Sequence, residues 1–99
     1  MKIKNEDLNN LLVDILTEGL CQSMNYNDEH YKHHQWLGLI SEEFLELTQA
    51  VNETDEYTAT EKAELYGGTK NIYCEGVQVA ALLIRYLLHI KRLSEEKAE

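Results

Sequence analysis

Residues 33 to 53 carry apolar side chains at a helical period, and acids break into the pattern along its border. Trp36, Ile40, Phe44, Leu47 and Val51 fall on one face at 3.6 residues per turn, so that face is the expected core stripe. Beside it runs the row Leu39, Glu43, Glu46 and Ala50, spaced i, i+4, i+7, i+11, apolar at its ends and acidic in its middle. Glu42 lies nearly opposite the stripe and reads as a solvated side chain. Glu43 and Glu46 are expected to be half-buried like charges in need of a counter-charge. A divalent cation is one answer.

The rest of the chain leaves little alternative to helix. Its 99 residues hold no proline and five glycines, and no run alternates apolar and polar long enough to suggest a sheet. The expectation is a single all-α domain over residues 1–99, with a core modest enough that oligomerisation would help. A formal charge of −9 would repel a nucleic-acid backbone or an anionic membrane, which argues against both as partners. The start, Met1-Lys2-Ile3-Lys4, turns acidic before any hydrophobic run develops and does not read as a signal peptide, so a cytoplasmic location is expected. Cys21 and Cys74 lack CxxC spacing and read as small core residues in a reducing compartment.

Three long helices and one short one are predicted. Asn5 is a candidate N-cap, and Leu8, Leu11, Leu12, Ile15, Leu16 and Leu20 follow at helical spacing to about Met24. Asn25 to Asp28 is a turn leading into the second helix, which continues to about Asn52. Thr58 to Glu61 fits a capping box before a short third helix that Gly67-Gly68 ends, with Thr69 able to cap the next element. The last helix is expected from Asn71 to about Leu93, with a frayed tail from Ser94. Between Val77 and Ile90 only Gln78, Arg85 and His89 are neither apolar nor Tyr, and they share one narrow stripe. The rest of that circumference should be buried. Two other long helices can hardly cover it, which predicts a four-helix type core completed by another copy.

Glu75 stands one turn before Gln78, so the last helix offers ExxQ where the second offers ExxE. Facing each other, the two pairs would gather carboxylate and amide oxygens around one point, as hard cations require. Three carboxylates suit Mg2+ or Mn2+ shared with a polyphosphate substrate. There a cation orients and neutralises the phosphates, while a water deprotonated with help from a glutamate attacks phosphorus in line with the leaving pyrophosphate. Gly76, beside Glu75 and inside a helix, would permit a close approach of ligand or neighbouring helix.

The run Glu42-Glu43-Phe44-Leu45-Glu46-Leu47, followed some thirty residues later by Glu75-Gly76-Val77-Gln78-Val79-Ala80-Ala81, resembles the all-α MazG-like nucleotide pyrophosphohydrolases, whose signature is EExxE followed by ExxD. The resemblance spans roughly residues 33 to 93. It implies a helical homodimer or homotetramer that uses Mg2+ to split a (d)NTP into (d)NMP and pyrophosphate. It further implies metal ligation by Glu43, Glu46, Glu75 and Gln78, with Glu42 and Glu43 as catalytic acids. Position 78 departs from the signature: Gln offers an oxygen but no charge, as in a phage-type ExxQ variant. A catalytically silent helical module for oligomerisation or binding is the competing expectation.

Three further residues carry two readings each. Arg85 is either part of an exposed stripe or a phosphate binder, and Lys70 either a surface lysine or a second phosphate contact. Trp36 is a core anchor that could also stack on a nucleobase. The His30, His33, His34 run provides neither an HExxH nor an ExxH frame for zinc or for a di-iron bundle.

Overall fold

The computed structural model describes residues 1–57 and 68–98. Among them the protein is all-helical, with no strand: α1 (Asn5–Asn25), α2 (His33–Tyr57) and α3 (Gly68–Ala98). The capping box and short helix expected between Thr58 and Gly67 lie outside the described residues. Both α1 and α2 pack on α3, and their backbones do not approach each other closely. The 31 residues of α3, about 46 Å of helix, are therefore the central element. None of the described helices is long and apolar enough to cross a membrane.

The helix ends follow local chemistry. Asn5 is not the cap of α1 but its first residue; Lys4, in extended backbone, precedes it without a side-chain bond. The start of α2 is set by Gln35, whose Oε1 accepts the Lys32 backbone N–H at 2.7 Å while the Lys32 carbonyl accepts from Gln35 and Trp36 N–H. That is the reciprocal half of a capping box, made by Gln at the third helical position. Gly68 opens α3 at φ 47, a left-handed conformation that a side chain would oppose, so the helix begins three residues earlier than its periodicity suggests. At its other end α3 stays helical through Ala98, where a frayed tail was expected.

The expected stripes are only partly buried. On α2, Trp36 and Ala50 are buried, Ile40, Glu43, Leu47 and Val51 are half-buried, and Phe44 of the expected stripe is 58% exposed. The stripe and the row containing Glu43 therefore share the covered side of the helix. On α1, Ile15 and Gln22 are buried while Leu8, Leu12, Leu16 and Leu20 lie open. On α3, Ala81 and Leu82 are buried and the stripe of Gln78, Arg85 and His89 turns inward beside them, whereas Leu83, Leu87 and Leu88 are exposed. The polar stripe faces the neighbouring helices because Gln22, Asp28 and Glu43 supply its partners there. Cys21 and Cys74, expected in the core, are exposed free thiols, and Cys21 lies at the edge of a groove shared with Glu43 and Gln78.

Trp36 is the anchor of the α2–α3 contact. Its ring is 2% exposed and is met by Tyr86 and His89 of α3, each at 5.5 Å between centroids, and edge-on by Tyr31 at 6.0 Å. Such a site does not collapse around a small residue. Trp36→Ala is expected to cost about 3–5 kcal/mol in urea denaturation followed by far-UV circular dichroism.

Candidate metal centre

Two turns of helix build the centre. Glu43 and Glu46 stand at i, i+3 on α2, and Glu75 faces them from α3, so that one carboxylate oxygen from each lies within 4.8 Å of the others. This is the only grouping of its kind among the described residues. Glu43 and Glu75 are half-buried, and Glu46 is exposed at the rim rather than half-buried as expected. Glu42 is exposed and stands outside the triad.

Crowding of like charges leaves a mark on proton affinity. Burial, then the charges of Glu46 and Glu75, a hydrogen bond with Glu46 and the charge of Glu18 all raise the Glu43 pKa above its ordinary value. Glu75 is raised by burial, by the charge of Glu46 and by a hydrogen bond with it. Glu43 and Glu75 thus give up their protons less readily than isolated glutamates do.

Gln78 occupies the position beside this cluster. With its amide nitrogen inward it donates to Glu43 Oε2 at 3.1 Å and to Glu75 Oε2 at 3.3 Å; with its oxygen inward it would face only acceptors. Without a cation between the carboxylates, the nitrogen is the end that satisfies them. The same amide can turn its oxygen inward when a cation is bound. An all-oxygen donor set of three carboxylates and one amide fits a hard divalent ion of the Mg2+ or Mn2+ class.

A polar chain leads away from the triad. Gln22 Nε2 donates to the Gln78 carbonyl at 3.2 Å and more loosely to Glu18 Oε1 at 3.4 Å. Gln22 Oε1 accepts from Arg85 Nη1 at 3.2 Å, and Arg85 Nη2 pairs with Asp28 Oδ2. Burial pulls the Arg85 pKa below the usual guanidinium value, but an arginine remains a cation. Its guanidinium lies 5.6 Å from the centre of the Trp36 ring. A groove of about 210 Å3 reaches Glu43 and Gln78, and a larger one of about 760 Å3 runs between α1, the α1–α2 segment and α3; Arg85 and Tyr26 line both.

The remaining expected site residues are dispersed. Trp36 lines the larger groove but is enclosed, so no open ring face is offered to a base; its indole Nε1 is buried with no acceptor among the described residues. Lys70 is exposed in the first turn of α3. His33 Nδ1 meets Tyr86 Oη at 3.2 Å. A Cβ at Gly76 would meet nothing within 4 Å, so no close approach of a neighbouring helix explains that glycine. Gln22 and Asp28 are the polar residues that sequence reasoning missed. Gln22, a polar position one helical repeat beyond Ile15, carried a usable signal; Asp28 read as a turn former.

Comparison with models of known families, with curated proteins and with solved structures finds no match to this chain.

The raised carboxyl groups have a direct thermodynamic consequence. A folded-state pKa above the unfolded value means that the folded chain binds more protons, so stability from Glu43 and Glu75 is greatest near and below 4.5 and declines as pH rises through the folded values. In EDTA, thermal melts from pH 4.5 to neutrality should therefore show wild type losing stability relative to Glu43→Gln. Parallel profiles would contradict the crowding.

Proposed function

We propose that this chain is a Mg2+-dependent nucleoside triphosphate pyrophosphohydrolase of the MazG-like all-α kind, converting a (d)NTP into (d)NMP and pyrophosphate in the cytoplasm. The observation that carries the reading is the convergence of Glu43, Glu46 and Glu75 within 4.8 Å from two helices. It is supported by the ExxE and ExxQ spacing that delivers those residues. When bound, Mg2+ or Mn2+ would orient the phosphates and neutralise their charge. Glu43 and Glu75 hold the ion's side of the pocket, and Glu46 closes its rim. Glu43, half-buried among the three acids, is the group to take the proton of the attacking water. Gln78 steadies the carboxylates from beside them.

The reading includes a homodimer or homotetramer. Leu37, Phe44 and Leu45 on α2 and Leu83 and Leu87 on α3 are each more than 40% exposed. A second copy packed on these side chains would complete the four-helix core.

The competing reading is a catalytically silent module, favoured by one observation: the Gln78 amide can satisfy Glu43 and Glu75 without any ion. Pyrophosphate release across the dNTPs, with Mg2+, Mn2+ or EDTA, separates the two. Wild type is expected to turn over only with metal, and Glu46→Ala to lose at least a hundredfold in kcat/KM while keeping its thermal midpoint, about 2.7 kcal/mol of transition-state stabilisation. An inert wild type that gains activity in Gln78→Asp would establish the silent module instead. Sedimentation should also show an oligomer that Phe44→Glu weakens.

A further inference from the structure

Beside the acid triad lies a cation that is already taken. The Arg85 side chain is 10% exposed and Asp28, its partner from the segment joining α1 to α2, is 13% exposed. Desolvating both charges offsets much of their attraction, so a pair of this kind is a weak reason for the two residues to be there. Arg85 lines both grooves, including the one that reaches Glu43 and Gln78. It shares one face of α3 with Gln78 two turns away, about 10 Å along the axis, a separation that an arginine side chain and a polyphosphate can span together. A guanidinium fork matches phosphate oxygens as well as it matches a carboxylate. Among the described residues, Gln22 Oε1 is the other side-chain acceptor on the guanidinium, and it is neutral.

We propose that Arg85 is a phosphate-binding residue of this site and that Asp28 is a built-in competitor for it, so that a phosphoanhydride gains its arginine by displacing a carboxylate of the α1–α2 segment. The proposal rests on the nucleotide-hydrolase reading for what binds at the triad. It adds that Asp28 occupies the guanidinium fork that a phosphate would use. Nucleotide affinity is then set partly by the Asp28 contact, and the Gln22 bond links the freed arginine to the Gln78 backbone beside the triad.

Calorimetric titration of inorganic pyrophosphate with Mg2+ into the full chain tests this without turnover. Asp28→Asn should bind about tenfold more tightly than wild type, Arg85→Gln more weakly, and the double variant no better than Arg85→Gln alone. Because Asp28→Asn leaves a buried guanidinium without its counter-charge and could fail to fold, wild type supplies a second readout. Trp36 is the single tryptophan and the Arg85 guanidinium lies against its ring. Its emission should change saturably as pyrophosphate draws the arginine away, at the concentrations where calorimetry reports binding. Wild-type binding with unchanged emission, or with Asp28→Asn no tighter than wild type, overturns the competition and leaves the hydrolase reading standing. No binding of magnesium pyrophosphate by wild type overturns both.

Discussion

Repulsion among three carboxylates is the constraint around which this fold is arranged. Glu43 and Glu75 face each other across the contact between α2 and α3, where apolar side chains would pack at less cost, and Glu46 adds a third charge at the rim. Removing a glutamate from water beside two others is unfavourable unless protons, donors or a cation compensate. Burial and neighbouring charge raise the Glu43 and Glu75 pKa values, which is the sign of that cost, and the Gln78 amide offsets part of it. A structure assembled for stability alone would place leucines there. The acids sit instead in the middle of a row that starts at Leu39 and ends at buried Ala50, so the helix is held by its ends while its centre is left polar.

The same logic extends along α3. Its inward face runs from Glu75 through Gln78 and Arg85 to His89, interrupted by buried Ala81 and Leu82. Each polar group there has a partner on another element: Gln22 from α1, Asp28 from the connecting segment, Glu43 and Trp36 from α2. Polar groups therefore share the inner face with Ala81 and Leu82, while Leu83, Leu87 and Leu88 of the same helix stay exposed. Such exposure is favourable only if those leucines are covered in turn. The polar interior and the proposed oligomer are two consequences of one arrangement, because a chain that spends its inner face on a binding site must bury apolar area elsewhere.

Helix content and the acid cluster were legible in the sequence because both depend on local periodicity. The i, i+3 pairs Glu43/Glu46 and Glu75/Gln78 lie side by side wherever a helix forms, and the structure brings them to one point. How much of each stripe would be covered was not legible. Phe44 shares its stripe with buried Trp36, and Leu16 its series with buried Ile15, yet both are exposed, and which members of a stripe are covered is decided by partners remote in sequence. The exposed reading of Gln78, Arg85 and His89, one of two weighed for that stripe, failed for that reason: Asp28 and Gln22, more than fifty residues away, give Arg85 its acceptors, and Gln22 donates to the Gln78 backbone carbonyl. Gly68 shows the backbone counterpart, since a residue read as a breaker became the left-handed first residue of the next helix.

Gln at position 78 bears on how such a centre could work with fewer charges. An Asp there would add a fourth carboxylate to three already within 4.8 Å, deepening the repulsion in the absence of metal while strengthening the hold on a cation. Gln reverses both effects. Its amide nitrogen donates to Glu43 and Glu75, relieving the ion-free state, and only its oxygen faces a cation favourably. The energy gap between empty and loaded states is therefore smaller with Gln than with Asp. In the proposed hydrolase this means weaker retention of the ion by the protein alone and a larger share of the binding contributed by the substrate's own phosphates. Metal and nucleotide would then enter together, which is consistent with a neighbouring arginine held by Asp28 until a phosphate arrives.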